Sequence, residues 1–113
     1  MAEFSGQVCV VTGGGRGIGR AIVEMFSGEG AEVHSIDLGE QAPFAGPVRP
    51  HACDIADLAS VEAFFEGLRA AGRQIDVLVN NAAAVTRAVP ITELTPEEWS
   101  RTMTVNVTGA FNV

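Results

Sequence analysis

A continuous apolar run, Val8-Cys9-Val10-Val11, opens directly onto Thr12-Gly13-Gly14-Gly15-Arg16-Gly17-Ile18-Gly19, and apolar residues at helical spacing follow at once. This succession constrains the fold more than any other feature of the chain. An apolar run without alternation predicts a strand buried on both faces, which requires helices on either side of its sheet. Ile18, Ala21, Ile22, Met25 and Phe26 fall at i, i+3, i+4, i+7 and i+8, so they predict one apolar face of a helix that Gly28 and Gly30 end. A glycine turn between strand and helix leaves free backbone N–H groups and the positive end of the helix dipole facing one point. Glycines there permit a tight turn and let a phosphate approach the backbone. The segment is therefore placed to hold a pyrophosphate.

The remainder repeats the strand and helix alternation. Strands are predicted at residues 32–38, 48–53 and 75–79, with the Gly/Pro-punctuated stretch 39–47 between the first two. Asp57 caps a helix carrying Leu58, Val61, Phe64, Phe65 and Leu68 at helical period, and Gly72 stops it. Thr95-Pro96-Glu97-Glu98 combines an N-cap threonine, proline at the first helical position and glutamate three residues after the cap. The helix it starts runs toward Val113 without a stop signal, so the chain is expected to end inside an element. Strands alternating with helices predict βαβ units, an α/β fold and a parallel sheet.

Two other phosphate loops do not match, one by its residues and one by its spacing. Gly14 to Gly19 has the Walker A interval, but Arg20 and Ala21 stand where its lysine and hydroxyl belong. Gly13, Gly17 and Gly19 give Gly-x-x-x-Gly-x-Gly instead of the common dinucleotide spacing. Asp37, 20 residues beyond Gly17, ends the second strand, where a carboxylate accepts from an adenosine ribose diol and repels a 2′-phosphate. That favours NAD over NADP; Arg16 points the other way, but no basic residue follows Asp37 at Leu38.

Charge and cysteine usage narrow the partners. With 14 acidic against 7 basic residues and a net charge of -7, the chain has no basic footprint for nucleic acid or an anionic membrane. Cys9 and Cys53, without CxxC spacing, fit buried thiols in a reducing compartment. No basic, apolar leader and no 18-residue apolar run occurs, so neither a signal peptide nor a membrane span is expected and the cytoplasm is the default location. His34 and His51 are too isolated in sequence to argue for a metal site, and no metal is expected.

The loop Thr12-Gly13-x-x-x-Gly17-Ile18-Gly19, together with Asp37, Asp54-Ile55, Asn80-Asn81-Ala82-Ala83 and Val105-Asn106-Val107-Thr108-Gly109, resembles the N-terminal half of the short-chain dehydrogenase/reductase family. The resemblance implies a Rossmann-type parallel sheet with flanking helices. Residues 1–113 would be the N-terminal part of one dinucleotide-binding domain, with the first four strands present and the catalytic and substrate half beyond them. It implies NAD-dependent hydride transfer between the nicotinamide and a secondary alcohol or ketone. The cofactor-binding residues carried over are Gly13, Gly15, Arg16, Gly17, Ile18, Gly19, Asp37, Leu38, Asp54, Ile55, Asn81, Ala82 and Ala83. In that assignment Asp54 accepts from the adenine amine with the Ile55 backbone nearby; the alternative is that Asp54 merely begins the next turn. The asparagine amides after the fourth strand brace the sheet, and Ala83 adds a methyl where the family keeps glycine. Asn106 matches a catalytic-site asparagine that bends its helix and holds a water in a proton relay, against the alternative of an ordinary helix asparagine. Family members pair through the helix beginning near Pro96, which implies a homodimer or homotetramer; Trp99, Met103 and Phe111 would serve there or in the core.

The chemistry itself is incomplete. Hydride transfer to or from an alcohol needs a group that gives or takes the hydroxyl proton. The family uses a tyrosine, with a lysine four residues later and a serine on the preceding strand. All seven basic residues here are arginines, tyrosine is absent, and the five serines precede the place of the family's serine. Truncation of a longer protein is the expected explanation; the alternative is a non-catalytic NAD-binding or interaction module complete at 113 residues.

Overall fold

The computed structural model describes residues 2–113. Its first strand, β1 (Val8–Thr12), is buried at every position, as the uninterrupted apolar run requires. The chain continues through α1 (Gly17–Gly28), β2 (Glu32–Asp37), β3 (Val48–Ala52), α2 (Leu58–Ala70) and β4 (Val77–Val79). A 3-10 turn at Ile91–Glu93 precedes α3 (Pro96–Met103), which passes into a π-helical segment, Thr104–Gly109, and a short α4 (Ala110–Asn112).

All strand pairs are parallel, in the order β3-β2-β1-β4. The chain winds outward from β1 to β2 and β3, then returns to the other side of β1 for β4, so the topological switch lies between β1 and β4. β3 is an edge strand and tolerates Pro50, whose missing N–H removes a ladder donor. Two apolar layers sandwich the sheet. On one face Cys9, Val11 and Val33 pack with Val23 and Phe26 of α1; on the other Val10 and Ile36 pack with Val61 and Leu68 of α2 and, at the margin, Val105. This is the expected Rossmann-type α/β architecture.

The expected apolar face of α1 needs correction. Gly19, Val23 and Phe26 are its buried residues, whereas Ile18 and Met25 are 76% and 52% exposed. The reason is Gly19: its bare α-carbon turns toward the carbonyl oxygen of Gly13, and this close approach rotates the helix so that Val23 faces the sheet. Leu58, placed on the apolar face of α2 by its spacing, is likewise half exposed. Strand ends also shift. β2 stops at Asp37, whose Oδ1 accepts from the Leu38 N–H, and β4 begins only at Val77, because Asp76 spends its side chain on the Val8 N–H. The final helix starts with the expected capping box, Thr95 and Glu98 each accepting from the other's backbone N–H. It does not continue as one regular helix: the backbone widens to π geometry across Thr104–Gly109, a distortion common at functional positions.

Candidate functional site

At the carboxyl ends of β1 and β4 the outgoing chains diverge and leave a cleft of about 290 Å³. Of the residues the sequence assigns to a cofactor, Gly13, Arg16, Asp37, Leu38, Asp54, Ile55, Asn81, Ala82 and Ala83 line it. Ile36, Cys53, Ala84, Arg101 and Val105 line it too, and were not assigned. Gly15, Gly17, Ile18 and Gly19 lie outside the lining and shape the approach to it.

The glycine loop is held from below by the backbone of β2: the N–H groups of Gly13 and Gly14 donate to the Ile36 carbonyl at 2.7 and 3.2 Å. Gly15 N–H instead donates to Asp37 Oδ2 at 3.0 Å, while Leu38 N–H donates to Asp37 Oδ1 at 2.8 Å. The two bonds fix the carboxylate at the rim of the cleft. Gly17, at φ +61°, turns the chain into α1 in a conformation that costs other residues about a kcal/mol or more. A Cβ on Gly19 would overlap the Gly13 carbonyl oxygen and crowd the Asn81 amide.

The start of α1 is left open. Arg16, its N-cap, makes no side-chain cap bond, and the first turn holds no acidic residue. Among the described residues no acceptor meets the N–H groups of Arg16, Gly17, Ile18 or Gly19. Unpaired N–H groups at the positive end of a helix dipole suit an anion.

A second scaffold joins the β1 and β4 ends. Thr12 Oγ1, fully buried, accepts from the N–H groups of Asn81 and Ala82 at 3.0 and 2.9 Å. Asn81 Nδ2 donates back to the carbonyls of Thr12 and Gly13 at 3.1 and 3.3 Å. Asn80 Nδ2 reaches the Ala110 carbonyl at 2.9 Å and ties β4 to the last helix. Asn106 grips Ala84 at both ends of its amide, accepting from Ala84 N–H at 2.6 Å and donating to its carbonyl at 2.9 Å. Its side chain is committed to bracing the segment after β4. Asp54 Oδ1 accepts from Ala56 N–H at 3.0 Å, so it begins the next turn and borders the cleft as well.

Another polar cluster sits elsewhere. His34 Nδ1 and His51 Nε2 lie 2.9 Å apart under Phe64 of α2, and His34 Nε2 meets Glu32 Oε1 at 2.8 Å, so the two histidines read as isolated in sequence are partners. Burial, helped by the charges of His34 and Arg49, pushes His51 below its ordinary pKa. Burial would raise Glu32, but hydrogen bonds from His34 and Arg73 and the nearby arginine charges outweigh it and hold Glu32 low. Burial, and next the charge of Asp76, push the Cys9 thiol up. Cys9 and Cys53 are both free and buried. Among the described residues no helix is long and apolar enough to cross a membrane.

Comparison with known proteins agrees with this geometry. The family model described as short chain dehydrogenase matches residues 7–113. The chain is 41% identical over 114 residues to 2,3-dihydro-2,3-dihydroxybenzoate dehydrogenase of Escherichia coli, covering 98% of this chain and 44% of that protein. It is 37% identical to D-threitol dehydrogenase of Mycolicibacterium smegmatis, covering 96% and 45%. A metagenomic short-chain oxidoreductase solved in complex with NADP superposes with a TM-score of 0.85 at 35% identity, covering 96% of this chain and 53% of that one. The chain thus spans about half the length of these relatives.

The residues present fit a nicotinamide dinucleotide, the cofactor class of this family. The cradle has no room for a Cβ at Gly19, the helix start keeps its donors free, and a fixed carboxylate stands at the rim.

Proposed function

Because the chain belongs to the short-chain dehydrogenase family, we propose that it is the N-terminal, adenosine- and pyrophosphate-binding half of an NAD-dependent oxidoreductase acting on a secondary alcohol or ketone. The observation that carries this is the pairing of an open α1 start with Asp37 anchored by Gly15 N–H. The N–H groups from Arg16 onward would hold the pyrophosphate, Asp37 the adenosine ribose diol, and Asp54, Ile55 and Leu38 the adenine end, with Asn81, Ala82 and Ala83 along the other wall. When bound, the nicotinamide ring supplies or accepts the hydride.

Asp37 favours NAD: its oxygens already accept from two N–H groups, and a 2′-phosphate beside them meets like charge. Arg16 also borders the cleft, and the attraction it offers a phosphate is the opposing influence. Asn106 contributes through the π-helical backbone it sits in and through the Ala84 segment, which its amide braces with one donor and one acceptor bond. With tyrosine and lysine absent here, the proton-transfer groups belong to the rest of the protein, as does the substrate pocket.

The same reading includes a homodimer or homotetramer. Trp99, Met103, Val107 and Phe111 recur every four residues along the last helix and are all exposed. Two buried free thiols suit a reducing cytoplasm. The test is alcohol-dependent NADH formation by the full-length protein across secondary alcohols, with sedimentation for its assembly. Activity with NAD and a sedimenting dimer or tetramer support the reading; inertness toward alcohols and ketones with either cofactor, or a monomer, counts against the corresponding part.

A further inference from the structure

The crossover from β2 to β3 contains neither helix nor strand: residues 38–47 form a bare loop. A loop of this length would not hold one position beside a binding cleft without outside ties. Here Phe44 packs on the core, and two side chains supply the polar ties. Arg20, on α1, donates from Nη1 to the Ala42 carbonyl at 3.0 Å and from Nη2 to the Pro43 carbonyl, and its guanidinium lies 4.1 Å over the Phe44 ring. Gln41 turns back into the sheet, accepting from Ser35 Oγ at 2.6 Å and donating to the Ser35 carbonyl at 2.9 Å.

The same guanidinium touches the phosphate loop. Arg20 Nη1 also donates to the Gly15 carbonyl at 3.3 Å. A planar trans peptide points its N–H opposite its C=O, so holding the Gly15 carbonyl fixes the direction of the Arg16 N–H, the first free donor at the start of α1. On the other side of Gly15, its own N–H holds Asp37 Oδ2, and a Cβ on Gly15 would lie 2.7 Å from that oxygen and 3.1 Å from Gln41 Cγ. Gly15 is thus clamped at its carbonyl by Arg20 and at its N–H by Asp37. Glu24 Oε1, 3.1 Å from Arg20 Nε, orients the guanidinium from the helix side.

We infer that Arg20 is a positioning residue of the dinucleotide site: it straps the helix-free crossover onto the glycine loop, and so presets both the Arg16 N–H and the Asp37 carboxylate before the adenosine diphosphate portion binds. The inference rests on the proposed cofactor reading. Arg20 is not among the residues lining the cleft; it acts by preorganisation, which raises affinity by removing an ordering cost from the binding step. Lysine could reach the Gly15 carbonyl as a point charge, but it lacks the planar fork that spans Gly15, Ala42 and Pro43 and stacks on Phe44.

The test is calorimetric titration of ADP-ribose and of NAD into the full-length protein and its variants at 25 °C, beside their Tm values. Arg20→Ala should raise both dissociation constants together by roughly tenfold. Arg20→Lys should fall between Arg20→Ala and the parent, and Phe44→Leu, which keeps every Arg20 hydrogen bond, should give a smaller rise of the same kind. If Arg20→Ala does not fold, Phe44→Leu and Arg20→Lys decide by the same measure. Folded variants that lose Tm while their dissociation constants stay within about twofold of the parent would make Arg20 structural only and overturn the inference. A parent protein that binds neither ligand overturns the cofactor reading itself, and the inference with it.

Discussion

Thr12→Val removes one oxygen and almost no volume, and it tests the brace between the β1 and β4 ends on which the cleft depends. Thr12 Oγ1 is the acceptor for two backbone N–H groups, those of Asn81 and Ala82, at 3.0 and 2.9 Å inside a fully buried side chain. Its own donation to the Val79 carbonyl, at 3.5 Å, is too long to weigh much. A buried N–H stripped of its acceptor costs about 1–3 kcal/mol. Two of them would cost about 2–6 kcal/mol, and the neighbouring cleft admits water, which favours the lower half, about 2–4 kcal/mol. Thr12→Ser keeps the acceptor and loses a buried methyl, about 1 kcal/mol with little cavity to add. Urea unfolding of the full-length proteins, with equal slopes confirming comparable transitions, should therefore rank the parent first, Thr12→Ser second and Thr12→Val last. The stability order is the point: a Thr12→Val protein as stable as Thr12→Ser would refute the idea that these two hydrogen bonds carry the brace.

Three further outcomes follow from the geometry. Gly19→Ala forces a methyl onto the Gly13 carbonyl oxygen, so dinucleotide affinity should drop by at least roughly tenfold while far-UV circular dichroism stays close to the parent; unchanged affinity would mean the loop has slack that the contacts deny. Arg87 and the Thr95 N–H hold the Glu98 carboxyl down to about 2 from an ordinary 4.5, so its contribution is complete above pH 4.5 and lost as pH falls through about 2. The Tm gap between the parent and Glu98→Gln should accordingly shrink over that window, and a gap independent of pH would contradict the stabilising role of the Glu98 charge beside Arg87. His51 is held below 6.5 by burial and by the charges of His34 and Arg49, so the unfolded chain takes up the proton first and stability should fall as pH drops below 6.5. His51→Gln should flatten that decline in denaturant titrations at successive pH values, whereas an unaltered slope would place the titration elsewhere.

What could be read from the chain was whatever local rules govern. The glycine loop, the Asp57 cap and the Thr95/Glu98 capping box act within a few residues, and each is where the sequence puts it. Asp37 is legible because the strand before it fixes its distance from the loop. The orientation of α1 was not, because a hydrophobic stripe records which residues are apolar, and Gly19 is counted as neither; its close approach to Gly13 outranks the burial of Ile18. The His34 and His51 pair depends on the register of β2 against β3, where Ile36 faces His51, and the thinly apolar segment Val-Arg-Pro-His-Ala carries no signal of that register. Arg101 and Val105 reach the cleft from the last helix, a placement that needs the whole crossover after β4 and has no counterpart in spacing. The π-helical widening at Thr104–Gly109 leaves no compositional mark, although the asparagine within it did.

The affinities of the full-length protein for NAD and NADP, measured side by side by calorimetry at the same salt concentration, test the assignment of this cleft most directly. Asp37, fixed at the rim by Gly15 and Leu38, predicts binding of NAD with NADP several-fold weaker, and Asp37→Ser narrowing that difference. Tighter binding of NADP would show that Arg16 governs the ribose end instead, and no binding of either would contradict the assignment of this cleft to a dinucleotide.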